Sequence, residues 1–174
     1  MAKCEKILIA GFAGAGKSSF LREIAQGAGP DWTFADLDEL VVKTYGGPSK
    51  SLSEWIEEWG WDRFRSYEEE CLRDWLTDPG KGVLALGGGS LNEENVNLVS
   101  QKAKILVLEV DFETAWHRVQ MDPQVRPLAL KGENYMRYLF EKRQKIFEKV
   151  PWKMANSDGT DLKALAAAFW REIR

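Results

Sequence analysis

Gly11-Phe-Ala-Gly-Ala-Gly-Lys-Ser18 is the stretch that decides the fold class of this 174-residue chain. It has the pattern G-x-x-x-x-G-K-S/T, preceded by an apolar run at 6–10 that predicts a strand and followed by a helical pattern at 19–26. The glycines let the loop curl its backbone N–H groups toward phosphate oxygens, and the N-terminus of the following helix adds a dipole that favours anions. The motif and its context therefore predict a P-loop, which binds the phosphates of a nucleotide.

The same loop supplies candidate ligands for ATP and for magnesium. Lys17 is long enough to reach the outer phosphates, and the hydroxyl of Ser18 is a typical ligand of the Mg²⁺ ion that accompanies the nucleotide. The sequence thus predicts ATP as co-substrate and Mg²⁺ as cofactor. The residues expected to contact the nucleotide are Gly14, Ala15, Gly16, Lys17, Ser18 and Ser19.

Short apolar runs recur along the chain and predict five strands, at 6–10, 32–35, 83–86, 105–110 and 152–155. Helical patterns of roughly ten to eighteen residues separate these runs, and the alternation predicts an α/β fold with a mostly parallel sheet. We expect a doubly wound, three-layer α/β/α sandwich. A length of 174 residues with 44% hydrophobic content fits a single domain at 1–174.

Two segments are longer than a strand-to-helix connection requires. Ser51 to Glu54 has the pattern of a capping box, and helical patterns at 55–59 and 62–76 follow it. We expect this helical segment, about 47–76, to bind the substrate. Residues 121–132 contain two prolines and a glycine and show no regular period, which is typical of a lid.

The charge and hydropathy of the chain exclude several classes of partner. The 24 Lys and Arg residues against 27 Asp and Glu lack the basic excess that a nucleic-acid backbone requires. No apolar run approaches the roughly 18 residues that cross a membrane, and the first residues lack the apolar stretch of a signal peptide. We therefore expect a cytoplasmic protein without nucleic-acid or membrane partners. The small size and the absence of an apolar surface stripe favour a monomer.

Two carboxylates, Asp36 and Asp38, follow the second predicted strand. The carboxyl ends of parallel strands form the edge at which open α/β sheets bind ligands. Since residues spaced by two point to the same side of a strand, one carboxylate can hold Mg²⁺ while the other reaches a substrate hydroxyl. The alternative is that either aspartate simply caps the helix starting near Glu39.

Two arginines lie on inward faces of predicted helices. Arg143 falls within the apolar stripe of the helix predicted at 133–150, and Arg65 lies at the margin of the stripe at 62–76, three residues before Glu68. A buried guanidinium keeps its charge and needs an anion. Taken singly, each arginine is more readily explained by a structural ion pair, and Arg65 and Glu68 are expected to form one. Two such arginines beside a P-loop indicate a carboxylate substrate.

A glycine turn and a lid arginine complete the candidate site. Gly87-Gly-Gly-Ser90 follows the third strand, and its glycines let the backbone approach a ligand that side chains would exclude. An ordinary strand-to-helix turn seldom needs three glycines. Arg126 lies in the predicted lid, where it is suited to meet phosphoryl charge when the lid closes, although alone it is equally explained as a solvated charge.

Taken in their order along the sequence, these motifs resemble those of shikimate kinases over nearly the whole chain. The P-loop alone is shared with many nucleotide-binding enzymes, whereas the ordered series is far more specific. The resemblance implies the P-loop kinase sheet with strand order 2-3-1-4-5. It also implies ATP-dependent phosphorylation of the 3-hydroxyl of shikimate, in the synthesis of chorismate and aromatic amino acids. The series consists of the P-loop, Asp-Leu-Asp at 36–38, Phe64-Arg65 with Glu68, Gly-Gly-Gly-Ser at 87–90, Val-Arg-Pro-Leu at 125–128 and Lys142-Arg143.

The resemblance implies roles for individual residues as well. Ser18 and Asp36 resemble the pair that binds Mg²⁺. Arg126 resembles the lid arginine that covers ATP, and Asn156 resembles a residue of the loop around adenine. The residues that resemble the shikimate contacts are Asp38, Arg65, Gly88, Gly89 and Arg143.

Two positions depart from the family pattern. Trp61 stands where an acidic residue is common. Val119 stands where the family usually has the first arginine before the lid, and Arg118 lies one residue earlier. One residue corresponds to about 100° around a helix, which argues against an adenine contact from Arg118.

These inferences combine into one mechanism of in-line phosphoryl transfer. Asp38 accepts or orients the proton of the substrate hydroxyl, while Arg65 and Arg143 hold the carboxylate. Lys17, Arg126 and Mg²⁺ stabilise the charge of the transferred group, so the expected catalytic residues are Asp38, Lys17 and Arg126. Two alternatives are a kinase for another small hydroxy acid such as gluconate, and a catalytically silent relative that binds ATP.

Overall fold

A parallel sheet of five strands forms the centre of the structure, a computed structural model that describes residues 5–46, 51–122 and 127–173. In chain order the strands are β1 (Lys6–Ala10), β2 (Trp32–Asp36), β3 (Lys81–Ala85), β4 (Lys104–Glu109) and β5 (Trp152–Ala155). They lie side by side in the order β2-β3-β1-β4-β5, and every pair is parallel. The α/β class and the strand order 2-3-1-4-5 are both confirmed.

β1 occupies the middle of this sheet, with β3 on one side and β4 on the other. All five of its residues are buried, as expected for a parallel strand that helices cover on both faces. The loop that follows β1 therefore emerges at the centre of the carboxyl edge of the sheet. Because β2 and β3 end at the same edge, the chain segments that follow them lie beside this loop.

Helices flank the sheet on both faces. They are α1 (Lys17–Gln26), α2 (Leu37–Tyr45), α3 (Leu52–Trp59), α4 (Trp61–Thr77), α5 (Val96–Ser100), α6 (Phe112–Met121), α7 (Glu133–Phe147) and α8 (Leu162–Ile173), and a 3-10 turn lies at Ala129–Lys131. The predicted capping box begins α3: Ser51 Oγ accepts from the Glu54 backbone N at 3.3 Å, and Glu54 Oε2 accepts from the Ser51 backbone N at 2.7 Å. No helix within these described ranges has the length and apolar character needed to cross a bilayer.

Two element boundaries differ from the prediction for identifiable reasons. β3 starts at Lys81 rather than at residue 83, because Lys81 and Gly82 pair with β2 even though they are not part of the apolar run. Helix α7 ends at Phe147, before the predicted residue 150. Pro151 follows Val150, and a proline disfavours the helical conformation of the residue before it, so the helix cannot readily extend to residue 150.

The core consists of two apolar layers, one on each face of the sheet. Alternation along β1 sends Leu8 to one layer, and Ile7 and Ile9 to the other. The first layer contains the inner faces of α2, α3 and α4, and the second contains those of α1, α6 and α8. Helix α7 contributes to both layers, so it crosses the sheet edge at which the P-loop lies.

Part of the predicted substrate-binding helical segment and part of the predicted lid lie outside the described residues. This applies to residues 47–50 of the helical segment 47–76, and to residues 123–126 of the lid 121–132, including Arg126. The described remainder of the first segment consists of α3 and α4. The described remainder of the second contains the 3-10 turn at Ala129–Lys131.

Candidate active site

The P-loop is a tight turn that only glycine can form at two of its positions. Gly14 and Gly16 have φ angles of 80° and 84°, in the left-handed region that other residues rarely adopt. Space is equally restricted, since a Cβ on Gly14 would lie 2.3 Å from the Ala115 carbonyl oxygen and one on Gly16 would lie 2.5 Å from Asn156 Nδ2. The loop is thus packed against α6 and against the segment that follows β5.

Lys17 begins helix α1, and its side chain bends back over the P-loop. Its Nζ donates to the carbonyl oxygens of Gly11 at 2.8 Å and of Phe12 at 3.0 Å. A cation therefore lies against a loop whose N–H groups and helix N-terminus already favour an anion. Ser19, in the same turn, is exposed and accepts a hydrogen bond from Arg22 Nη2 at 3.3 Å.

Ser18 and Asp36 meet at the start of α1. Ser18 Oγ donates to Asp36 Oδ2 at 2.8 Å, and Asp36 Oδ1 accepts from the Asp38 backbone N at 3.0 Å. Asp36 is thus the N-cap of α2, as one interpretation predicted, and it is also the neighbour of the P-loop serine. A hydroxyl and a carboxylate oxygen suit Mg²⁺, which keeps several waters and takes its other ligands from phosphates.

The predicted geometry of the Asp36 and Asp38 pair is wrong. The prediction placed both on one side of a strand, but β2 ends at Asp36 and Asp38 lies in the first turn of α2. Helix geometry nevertheless brings Asp38 to the glycine turn after β3, where a Cβ on Gly87 would lie 2.6 Å from Asp38 Oδ1. The two carboxylates therefore face different neighbours: Asp36 faces Ser18, and Asp38 faces Gly87.

Two guanidinium groups converge on the glycine turn from different helices. A Cβ on Gly89 would lie 2.7 Å from Nη2 of Arg65 in α4 and 2.7 Å from Nη2 of Arg143 in α7. Arg143 Nη1 also donates to the Gly88 carbonyl oxygen. Arg65 forms the predicted ion pair with Glu68. The absence of side chains at Gly88 and Gly89 is what allows both arginines to lie over the turn.

The charge on Arg143 is poorly compensated. Burial and, to a smaller extent, the neighbouring Arg65 guanidinium lower the pKa of Arg143 to about 10, and Glu68 offsets this only in part. The group still carries its charge at neutral pH. Glu68 itself is buried, pairs with Arg65 and accepts a hydrogen bond from Ser90 Oγ. A carboxylate that entered beside Arg143 would supply the anion that this pair of arginines lacks.

One cavity of about 1340 Å³ connects these groups. Arg143 extends toward the P-loop, with its Cζ 5.9 Å from the centre of the Phe12 ring. The cavity is large enough to accept a nucleotide's last phosphate and a small acid side by side. Among the residues that line the cavity are Ser18, Asp36, Asp38, Arg65, Gly88, Gly89 and Arg143.

Asn156 contacts the P-loop but is not among the residues that line this cavity. Its buried Nδ2 donates to the Ala15 carbonyl oxygen at 2.7 Å. Arg118 reaches the same region: its Nη1 donates to the carbonyl oxygens of Asn156 at 2.9 Å and of Gly14 at 3.3 Å. This contact was not predicted, because nothing in the sequence indicates that the P-loop packs against the face of α6 that carries Ala115 and Arg118.

A second residue that sequence reasoning left without a role is Trp61. It lines the cavity, and the Arg65 Cζ lies 5.3 Å from the centre of its ring. This distance is within the range of a cation–π interaction. The tryptophan thus contacts Arg65 at a position where the resemblance led us to expect a carboxylate.

The chain is similar to known proteins in sequence and in structure. A family model described as shikimate kinase matches residues 13–174. The chain is 34% identical over 146 residues to a shikimate kinase of Lactococcus lactis subsp. lactis, covering 83% of each chain. It is 30% identical over 167 residues to one of Dictyoglomus turgidum, covering 94% of each.

Solved structures show the same likeness. The shikimate kinase of Aquifex aeolicus has a TM-score of 0.78 at 26% identity, with 97% of this chain and 95% of that chain covered. The shikimate kinase of Acinetobacter baumannii, solved in complex with shikimate, has a TM-score of 0.81 with 98% and 93% covered. Its identity is 21%, so that second likeness concerns the fold alone.

Proposed function

The chain belongs to the shikimate kinase family, and we propose that it transfers the terminal phosphoryl group of ATP to the 3-hydroxyl of shikimate. It is a phosphotransferase with an alcohol acceptor, and its products are ADP and shikimate 3-phosphate, on the route to chorismate and aromatic amino acids. One observation carries the proposal: the P-loop and the two arginines line the same cavity. The related proteins give no support to a gluconate kinase or to a silent ATP-binding relative.

ATP is the co-substrate, and the P-loop is proposed to hold its phosphates. The backbone N–H groups of residues 14–19 and the N-terminus of α1 would bind the phosphate oxygens. Lys17 would exchange its bonds to loop carbonyls for bonds to the outer phosphates. Arg126 is proposed to approach the transferred group from the lid, and Asn156 to lie near the base. Phosphoryl transfer depends mainly on such positioning and on charge stabilisation.

The acid is proposed to bind above the glycine turn. Its carboxylate would bind the guanidinium groups of Arg65 and Arg143, which are forked donors suited to a carboxylate. Gly88 and Gly89 would leave room for the ring. Asp38, close to Gly87, would then accept a hydrogen bond from the reacting hydroxyl and orient it toward the phosphate.

Magnesium is proposed to bind where Ser18 and Asp36 meet. Their oxygens suit this ion, and no group of three or more His, Cys, Asp or Glu side chains arranged for a metal occurs in the described part of the chain. The remaining ligands are therefore expected from phosphates and water. The bound ion offsets the negative charge of the phosphates.

Replacing Asp36 by asparagine is expected to raise the Mg²⁺ concentration that gives half-maximal velocity by about tenfold, because a charged ligand becomes neutral. The melting temperature is expected to change little, since asparagine caps a helix as well as aspartate does. Asp111→Asn is the matched control, because Asp111 caps α6 by accepting from the Thr114 backbone N at 2.8 Å. An unchanged Mg²⁺ requirement in Asp36→Asn would argue against the metal assignment.

Replacing Gly89 by alanine is expected to raise KM for shikimate by about tenfold and to leave KM for ATP unchanged. The added Cβ would lie 2.7 Å from both arginine side chains, which are flexible enough to move away but then no longer converge. Gly29→Ala is the control, because a Cβ there meets nothing within 4 Å. Equal KM values for shikimate in the two variants would show that the arginines need not converge.

A coupled ADP-release assay tests the proposed function directly. The chain is supplied with Mg²⁺, ATP and either shikimate, gluconate or no acceptor. We expect release of ADP to depend on shikimate. Release that depends on gluconate instead, or ATP binding without turnover on any acceptor, would refute the proposal.

Composition supports several further proposals about the chain. The near balance of charges is consistent with a small molecule and ATP as its only partners, without nucleic acid. We infer a single domain, a monomer and a cytoplasmic location, where ATP is abundant. Gel filtration with light scattering checks the monomer, for which a mass near 19.8 kDa is expected.

A further inference from the structure

Arg118 connects three separate parts of the structure. It extends from α6, and its Nη1 donates to carbonyl oxygens of the P-loop and of the segment after β5, at Gly14 and Asn156. Its Nη2 donates to Asp158 Oδ1 at 3.1 Å. One side chain thus joins a helix, the phosphate-binding loop and the segment that follows the last strand.

The two P-loop carbonyls that receive side-chain bonds in this region are adjacent. Arg118 donates to the Gly14 carbonyl, and Asn156 Nδ2 donates to the Ala15 carbonyl. A peptide plane fixes the direction of its N–H opposite to that of its C=O. The Ala15 N–H donates to the Phe12 carbonyl oxygen at 3.1 Å, so the bond from Arg118 to the Gly14 carbonyl holds a closed turn in place. The bond from Asn156 to the Ala15 carbonyl turns the next N–H, that of Gly16, toward the side on which phosphates bind.

Both donors are themselves held in place. Asn156 is buried, and its backbone N donates to the Glu109 carbonyl oxygen at the end of β4 at 2.8 Å. Arg118 lies one turn after Ala115, whose carbonyl oxygen stands 2.3 Å from where a Cβ on Gly14 would lie. The loop therefore has little room to change shape while these two side chains stay bonded.

The ion pair of Arg118 with Asp158 does not explain why the side chain also bonds to the P-loop. Asp158 is 73% exposed, and a surface ion pair of this kind contributes little to stability. The Arg118 side chain is 28% exposed. The part of the guanidinium that faces inward is the part that donates to Gly14 and Asn156.

We propose that Arg118, together with Asn156, is a positioning residue that holds the backbone amides of the P-loop toward the phosphates. The role deepens the proposed function, since it assumes that this loop binds the phosphates of ATP. It differs from a contact with adenine, because it acts on the phosphate chain through the loop backbone. Binding of phosphate chains without a base should therefore depend on Arg118.

The test compares Mg²⁺-tripolyphosphate, which has no base, with ADP. Dissociation constants are measured by calorimetry at 10 °C, where the variants stay folded, for the wild type, Arg118→Met and Asn156→Ala. We expect each variant to bind both ligands roughly tenfold more weakly, as for the loss of a hydrogen bond from or to a charged or buried group. Arg118→Lys, which keeps a charged donor, is expected to restore part of the affinity.

Two controls separate positioning from other effects. Arg137→Met removes an exposed arginine that pairs with Glu113 and Glu133, away from the loop, and it should leave both affinities unchanged. Asn156→Ala removes a donor without changing charge, so a loss there cannot arise from charge alone. In steady state, the Arg118→Met variant should raise KM for ATP and leave KM for shikimate unchanged.

The outcomes are distinct. Weaker binding of ADP with unchanged binding of tripolyphosphate would indicate a contact with the base and overturn the proposal. Weakening in Arg118→Met but not in Asn156→Ala would reduce the role of Arg118 to its charge, and would overturn it too. Failure of the wild type to bind either ligand would instead refute nucleotide binding by the P-loop, which is the premise of the proposed function.

Discussion

Replacing Asp38 by asparagine is expected to lower kcat by about a hundredfold to ten-thousandfold, the usual loss when a positioned acid–base group is removed. Asparagine has nearly the same shape, but it cannot accept a proton and offers one carbonyl oxygen instead of a charged pair. Asp38 lies in the first turn of α2, beside Gly87, and it is Asp36 that accepts the hydrogen bond from the P-loop serine. Affinity for ATP should therefore stay within about twofold of the wild type.

The measurement is steady-state kinetics with shikimate as acceptor, alongside calorimetric titration with ADP. Asp31→Asn makes the same chemical change just before β2 begins, at the opposite end of that strand from the site, and should behave as the wild type. Near-normal turnover in Asp38→Asn would show that another group handles the hydroxyl. A large loss of ADP affinity would indicate that Asp38 acts on the nucleotide side.

Replacing Arg143 by methionine is expected to raise KM for shikimate by about a hundredfold, which corresponds to roughly 2.7 kcal/mol of lost binding. The reason is the loss of a charged, forked donor from a partly buried position. The carboxylate is remote from the reacting hydroxyl, so it contributes to substrate and transition state alike. Such uniform binding raises KM and changes kcat much less.

The same variant should be no less stable than the wild type. The pKa of Arg143, lowered to about 10, means that the charged form is disfavoured by folding at every pH below that value. Methionine removes the buried charge and its repulsion with Arg65, so the melting temperature is expected to stay level or rise. Loss of substrate affinity without loss of stability is expected for a group that serves binding and lowers the free energy of unfolding.

Lys142→Met is the matched control for this prediction. Lys142 is the preceding residue of α7, it is exposed, and its loss changes the net charge by the same amount. It should leave KM for shikimate and the melting temperature unchanged. A melting temperature that fell sharply in Arg143→Met, with KM for shikimate intact, would identify Arg143 as a structural residue.

Several parts of the structure were predictable because they depend on neighbours in sequence. The P-loop was recognisable because its glycines, lysine and serine act within eight consecutive residues between a strand and a helix. The ion pair of Arg65 with Glu68 followed from helical spacing of i and i+3. The capping box at Ser51 and Glu54 is local in the same way. The strand order, by contrast, came from the resemblance, since periodicity contains no information about which strands pair.

Other predictions were wrong or missing because they concern element boundaries or contacts between residues that are far apart in sequence. The sequence predicted that Asp36 and Asp38 point to the same side because of strand geometry, yet α2 begins at Leu37 with Asp36 as its cap. Pairing with β2, which is remote in sequence, placed the start of β3 at Lys81. The contact of Arg118 with Gly14 joins residues 104 positions apart, and sequence distance gave no reason to pair them.

The sequence alone determined the alternation of strands and helices, the phosphate-binding loop and the chemical types of the groups around it, because each is encoded by spacing within one or two turns. Only the tertiary structure decided that Arg65 and Arg143, from helices about 80 residues apart in sequence, converge on Gly89. The reason is physical: such convergence depends on how α4 and α7 pack against the sheet edge, and packing is a property of the whole chain.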